Sequence, residues 1–234
     1  VLTFLAPLPV PAQNEAGAGS ARQQKIAALK QSIAQNQAAL KQYSWTETTQ
    51  VSLKGEVKKT EQKECHYGPD GKVQKTPLGN QAPAQQPQAG GGRGGRLKKQ
   101  IVEKKVDEMK DYMERVGALV HEYVPPDPQK IQTAVAAGNV AVQPGSSGVA
   151  VLSFKNYLKQ GDSLAIGFDA ASKKITSYDV QSYLDDPQKD VVTLAVTFDS
   201  LPDGTNYPAK TLLNAKAKQI EVQVTNANYK KAGM

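Results

Sequence analysis

Tyr43-Ser44-Trp45-Thr46-Glu47-Thr48-Thr49-Gln50-Val51-Ser52-Leu53 is where the chain changes period. Tyr43, Trp45, Glu47, Thr49, Val51 and Leu53 alternate with Ser44, Thr46, Thr48 and Ser52. The segment is rich in Thr and aromatics, which suits the pleated, half-buried surface of a strand. Immediately before it, Ile26, Leu29, Ile33 and Leu40 fall on one helical face, with Ala and Gln filling the rest. That spacing predicts an amphipathic helix over Arg22 to Gln42, only modestly apolar and so laid on something rather than buried all round.

Further back, residues 13–21 are rich in Gln, Ala, Gly and Ser and read as a flexible lead-in. Val1 to Ala12 is apolar, carries no charge and ends in Val10-Pro11-Ala12. It reads as the remnant of a secretory signal with cleavage expected after Ala12, which predicts a periplasmic or secreted protein. The sequence contains no Asn-x-Ser/Thr acceptor site, which favours a bacterial exported protein over a eukaryotic secreted one.

Forward from Leu53, Gly55 to Tyr67 continues as a very polar strand, with Lys58, Lys59, Glu61, Lys63 and Glu64 suited to a sheet edge. Gly68-Pro69-Asp70-Gly71 is a turn, and Lys72 to Thr76 a short third strand. From Pro77 to Arg96 the composition breaks, and residues 79–96 read as a flexible Gln/Gly-rich loop with no apolar surface to offset the entropy of ordering it.

A long helix is predicted from Leu97 to Tyr123. Val102, Val106, Met109, Met113, Val116, Val120 and Tyr123 recur at alternating spacings of four and three, a heptad stripe. Pro125-Pro126 ends it, and Asp127-Pro128 opens another helix with Asp as N-cap and Pro at the first helical position. Gly138 is its stop. The remainder reads as β: Asn139 to Gln143, Val149 to Tyr157, Ser163 to Asp169, Ile175 to Leu184, Val191 to Asp199, Tyr207 to Ala215 and Gln219 to Tyr229, about five or six strands of a meander. One sheet serves the whole chain if the first strands join the later ones. The predicted class is α+β: a single domain over residues 22–230, with a large curved antiparallel sheet, half-barrel-like, and an N-terminal helix and helical insert packed on one face.

Composition limits the chemistry. The chain has 234 residues, 39% apolar and 22% charged, enough for one sizeable core. One Cys and two His exclude a disulfide framework and a zinc site built only of those residues. The net charge of +7 favours acidic partners without choosing among them. Aromatics are only 6%, which limits sites built on stacked rings.

This order of elements resembles the periplasmic lipoprotein-carrier superfamily, the LolA/LolB-like half-barrels, as a divergent member. The likeness rests on a helix running into Tyr43-Ser44-Trp45-Thr46-Glu47, on a helical insert between two groups of strands, and on Asp203-Gly204-Thr205-Asn206-Tyr207-Pro208-Ala209-Lys210 followed by the strand Ile220 to Tyr229. The resemblance implies a binding protein, not an enzyme, that holds a lipid, acyl chain or lipidated peptide between a curved sheet and lid helices. No short diagnostic motif accompanies it, so no family residue is transferred.

The candidate ligand-binding residues come from the sequence itself. Met109, Met113 and Val116 share the insert's apolar stripe, and methionines repack readily around a ligand. Tyr43 and Trp45 share one strand face. Phe154, Ile166 and Phe168, with Leu194, Val196 and Phe198, are candidates for the concave wall. Ordinary core packing is the first explanation of each set, and in a half-barrel the same face can serve both roles. Cys65 and His66 point to opposite strand faces and make a poor metal or catalytic pair. The basic run Arg93-Gly94-Gly95-Arg96-Leu97-Lys98-Lys99 reads as a charged linker or a contact for an anionic membrane surface. The expectations are therefore no catalysis, no cofactor, no metal and no nucleic acid. The expected partner is a hydrophobic small molecule or a lipidated protein, and the protein is expected to be a monomer. The alternative reading is an envelope interaction protein with a closed core that binds an anionic partner through its basic surface.

Overall fold

The computed structural model describes residues 14–79, 95–145 and 148–231. Helix α1 (Asn14–Leu40) leads into β1 (Tyr43–Leu53), β2 (Glu56–Tyr67) and β3 (Val73–Pro77). Helices α2 (Gly95–His121) and α3 (Pro128–Ala136) follow. The chain ends in β4 (Val140–Pro144), β5 (Val149–Lys155), β6 (Ser163–Asp169), β7 (Lys174–Tyr183), β8 (Val191–Ser200), β9 (Asn206–Ala215) and β10 (Ile220–Lys231). Residues 1–12 and the segment 80–94, read as a signal remnant and as most of a flexible loop, lie outside the described residues, as do Arg93 and Gly94 of the basic run.

All ten strands form one antiparallel sheet in the order β3-β2-β1-β10-β9-β8-β7-β6-β5-β4. The first strands join the meander through β1 and β10, with Thr49 opposite Val224 and Leu53 opposite Ile220. This is the α+β architecture expected, a large curved open sheet with helices on one face. Two details differ. The C-terminal strands are seven, not five or six, because even the short β4 finds a full partner in β5. Helix α1 begins at Asn14, so residues 14–21, read as a lead-in, are helical; their Ala content supports helix as well as the composition supports a linker.

Register shifts lie at Ser44/Thr46 in the β1–β10 pair, Val51/Ser52 in β1–β2, Gly167/Phe168 in β6–β7 and Thr197/Phe198 in β8–β9. An extra residue on one strand raises local twist, and several such shifts curl a wide sheet. The concave face is read from alternation: Leu152 and Phe154 on β5, Leu164, Ile166 and Phe168 on β6, and Leu194 and Val196 on β8 are buried together with Ile26, Leu29 and Ile33 of α1 and Ile131 and Ala134 of α3. The predicted cap of α3 is present, the Asp127 carboxylate accepting from the Gln129 N–H at 2.7 Å with Pro128 next in line.

Helix α1 is fixed to the sheet where the Asp203-Gly204 turn enters β9. The Asn206 N–H donates to Asn36 Oδ1 at 2.7 Å, the Asn36 amide returns a bond to the Asn206 carbonyl, and Asn206 Nδ2 donates to the Ile175 carbonyl at 2.6 Å. Gly204 sits at φ +87°, the left-handed conformation that glycine adopts without strain.

Candidate functional site

Helix α2 crosses the concave face, and its two halves are buried very differently. Toward its C-terminal end, Leu119, Val120 and the following Tyr123 meet Val180, Ser182, Val192 and Leu194, leaving a cavity of only about 10 Å³. That is room for one water at most. The middle of the helix packs on a second cluster, in which Tyr112, Val116, Val192, Ala215 and Ile220 are buried. Around these, Met109 and Met113 are only half-buried against that cluster, as are Val51, Leu53, Leu213 and Val222 from the strands. One turn earlier the same stripe surfaces at Val106, which is 47% exposed. An apolar seam between α2 and strands β1, β9 and β10 is thus buried at one end and increasingly exposed at the other.

The sequence-predicted residues fall in three places. Met109, Met113 and Val116 lie in this seam. Phe154, Ile166 and Phe168 are 0–1% exposed in the main core under α1 and α3, together with Leu194 and Val196 and beside the half-buried Phe198. Tyr43 and Trp45 belong to an aromatic group at the other end of β1. The strand between Trp45 and Val51 spans about 20 Å, so the two ends of β1 do not share one ligand-sized site. Residues that the sequence reading passed over complete the seam: Tyr112, Leu53, Leu213 and Val222. The alternation of β1 and β10 marks Leu53 and Val222 as facing one side, and Tyr112 stands one turn from both Met109 and Val116.

The aromatic group gathers much of the chain's small aromatic content. Trp45 stacks on Tyr229 with ring centres 5.5 Å apart and also leans on Tyr67 at 5.6 Å. Tyr207 lies 4.4 Å from Tyr229. The Trp45 indole N–H donates to Asn226 Oδ1 at 3.1 Å. Next to it the buried Glu47 carboxylate accepts two bonds from the Lys75 ammonium, at 2.8 and 2.7 Å. Burial first, and then the Glu47 charge, push the Cys65 thiol up, so it is held protonated and unreactive. Its neighbour His66 alternates to the other face. This group is a satisfied core at the sheet's end. Among the described residues no cluster of His, Cys, Asp and Glu is arranged to hold a metal.

Tyr43 reaches from this group to the β8–β9 turn, where its hydroxyl donates to the Asp203 carboxylate. That bond, with the Thr205 N–H at 3.0 Å, holds the Asp203 carboxyl down at about 2. A lowered carboxyl contributes stability that is fully present above its unfolded value near 3.8 and is lost as pH falls through about 2. In the Tyr43→Phe variant the difference from the parent protein is therefore expected to shrink between pH 4 and pH 2. Urea denaturation midpoints across that range check this, and a pH-independent difference would refute it.

Larger depressions lie elsewhere. One of about 390 Å³ lies beside the Lys216–Lys218 turn, lined by Ser52, Thr193, Asn214 and Glu221 together with Val191 and with Ala215 and Ile220 of the second cluster. Another of about 440 Å³ is lined by Ser44, Thr46, Glu64, Asn228 and Lys230 beside Trp45 and Tyr229. Both are open to solvent and lined by a mixture of polar and apolar side chains.

No protein-family model and no curated protein matches the chain. Among solved structures it is similar to a DUF1329 family protein from Desulfovibrio piger, at 9% identity over 89% of this chain and 93% of that one, with a TM-score of 0.42. It is similar to a LolA superfamily protein from Nitrosomonas europaea, at 8% identity, 87% and 94% coverage and a TM-score of 0.37. It is also similar to a proposed outer membrane lipoprotein-sorting protein domain from Vibrio parahaemolyticus, at 10% identity, 90% and 94% coverage and a TM-score of 0.36.

Proposed function

We propose that the protein is a non-catalytic carrier that holds a hydrophobic ligand, a lipid, acyl chain or lipidated peptide, in the seam between α2 and the concave ends of β1, β9 and β10. The observation that carries this reading is the uneven burial of one helix stripe. Val116 is fully buried, Met109 and Met113 are half-buried, and Val106 is 47% exposed. An apolar stripe left unfilled against apolar strand residues gains free energy from any apolar guest, roughly 25 cal/mol for each Å² removed from water. Methionine suits such a guest because its unbranched thioether repacks with little strain. Phe154, Ile166 and Phe168 then form the rigid floor that keeps the sheet curved, while Met109, Met113 and Val116 touch the ligand. Tyr43 and Trp45 close the far end of the sheet.

A carrier working between membranes belongs in the periplasm, which agrees with the reading of Val1 to Ala12 as an export signal. No helix among the described residues is long and apolar enough to cross a membrane. The direct test is titration of the purified protein with an environment-sensitive fluorescent acyl probe, followed by displacement with unlabelled laurate. Saturable, displaceable binding at micromolar concentration is expected. A flat titration sinks the proposal.

A further inference from the structure

The seam contains one polar atom without a partner. The Tyr112 hydroxyl is fully shielded from solvent and makes no hydrogen bond, the only such buried side-chain atom among the described residues. Buried hydroxyls are nearly always paired, because an unmade bond costs the full desolvation of the group. Tyr112 stands on α2 inside the second cluster, one turn from Met109 on one side and from Val116 on the other. Its ring is approached by the Lys218 ammonium, 5.8 Å from the ring centre. Lys218 is exposed on the 3-10 turn Lys216–Lys218 and makes no ion pair among the described residues. Arg115 is one turn on but already holds Asp185 at 2.6 Å, and Asp190 is the nearby anion.

Resting on the carrier reading above, we infer that the ligand is an anionic amphiphile whose carboxylate or phosphate headgroup accepts the Tyr112 hydroxyl beside Lys218, with its tail along Met109, Met113, Val51 and Val222. The phenol supplies a directed donor, and Lys218 supplies the charge that distinguishes an anion from a neutral ester. The tail direction follows from the seam, which is closed beyond Val116 and open toward Val106. Burial pushes the phenol's pKa up and Asp190 adds to this, so the hydroxyl keeps its proton to donate.

The test compares laurate, dodecyl phosphate and methyl laurate on the parent protein, Tyr112→Phe and Lys218→Met. The parent is expected to bind the better of the two anions about tenfold more tightly than the ester, since a hydrogen bond to a charged acceptor is roughly twice as strong as one to a neutral one. Whichever anion binds more tightly names the headgroup. Tyr112→Phe is expected to lose about tenfold in affinity for that anion and little for the ester. The same variant is expected to melt about 2–4 °C higher, because it removes an unpaired buried hydroxyl. Lys218→Met is expected to weaken anion binding about threefold and leave the ester unchanged. Higher stability together with weaker anion binding is a signature that a merely structural tyrosine does not produce. Equal affinity for anion and ester, or a Tyr112→Phe protein that melts lower, overturns the headgroup assignment and leaves the carrier reading standing. Displacement of laurate by millimolar inorganic phosphate alone also overturns it, in favour of a free-anion site. If the parent binds none of the three amphiphiles, the carrier reading falls and this inference with it.

Discussion

Asp162→Ala is expected to destabilise the protein by about 3–5 kcal/mol, as much as truncating a buried aromatic of the core. Asp162 is 3% exposed in the turn between β5 and β6. One carboxylate oxygen accepts the Tyr157 N–H at 2.7 Å, and the other accepts the Leu158 and Lys159 N–H groups at 3.0 and 2.9 Å. The second oxygen also takes the Tyr123 hydroxyl, which is itself 2.9 Å from Ser182 Oγ. Truncation to Ala leaves three N–H groups with nothing to accept them and the phenol with Ser182 Oγ as its one remaining partner. Each unmade bond costs about 1–3 kcal/mol, and entering water recovers part of the sum. Asp162→Asn is expected to lose about half as much, because the amide oxygen replaces one acceptor and the NH2 group opposes the donors at the other. Urea denaturation measures both, and an Asp162→Ala loss below about 1 kcal/mol would show that the turn satisfies itself without the carboxylate.

The effect reaches the proposed ligand seam through Tyr123. That residue follows α2 directly and is 1% exposed, and its phenol is the pin that holds the closed end of the helix to the β5–β6 turn and to β7. Burial, then the bond to Asp162, push its pKa well above the ordinary tyrosine range, so the pin persists across physiological pH. Helix α2 is therefore anchored at its C-terminal end by polar bonds and packing. Farther toward its N-terminal end, the same helix rests on an apolar seam whose residues are only half-buried. On the carrier reading proposed above, entry of the guest requires movement only at that end.

The fold was largely legible because its boundaries coincide with changes of period. The alternation beginning at Tyr43 gives β1 its bounds, Tyr43–Leu53, and the run of Leu164, Ile166 and Phe168 gives β6 its bounds, Ser163–Asp169. Asp127-Pro128 announces the start of α3 by cap chemistry alone. The site was less legible because alternation reports which face a residue occupies, not what covers that face. Phe154 and Met113 both point to the concave side, yet one lies under α1 and α3 and the other at an unfilled seam. The heptad stripe counted Val106, Met109 and Met113 as equals, and only packing against β1 and β10 separates the exposed Val106 from the buried Val116. Tyr112 escaped because an unpaired hydroxyl is a property of its neighbours. The partner of Trp45 was hidden for a related reason: the register shift beside Asn228, at φ +56°, brings Tyr229 under the indole, and no local pattern foretells it.

The double variant Met109→Glu/Met113→Glu is expected to weaken acyl-chain binding about 100-fold. Two methionine side chains each contribute roughly 1.5 kcal/mol to an apolar guest when about half their surface remains to be covered, and about 3 kcal/mol corresponds to a factor near 100. The carboxylates add a desolvation cost that the guest must meet and that Val51, Leu53, Leu213 and Val222 cannot relieve. In the free protein the same side chains can turn toward solvent, since both positions are half-buried at the start, so the fold is expected to lose only about 1–2 kcal/mol. A large binding loss with a small stability loss separates a ligand seam from a core. If the seam were simply a loosely packed core, as the closed-core reading of this chain requires, the two glutamates would change stability alone and there would be no acyl binding to lose. Met109→Leu/Met113→Leu supplies the converse: volume and apolarity are retained, so binding is expected to stay within about threefold of the parent. An affinity in the double Glu variant within threefold of the parent would move the ligand away from α2 altogether. The strand side of the seam would then have to bind alone, and the half-burial of Met109 and Met113 would reflect only how far the helix extends past the sheet.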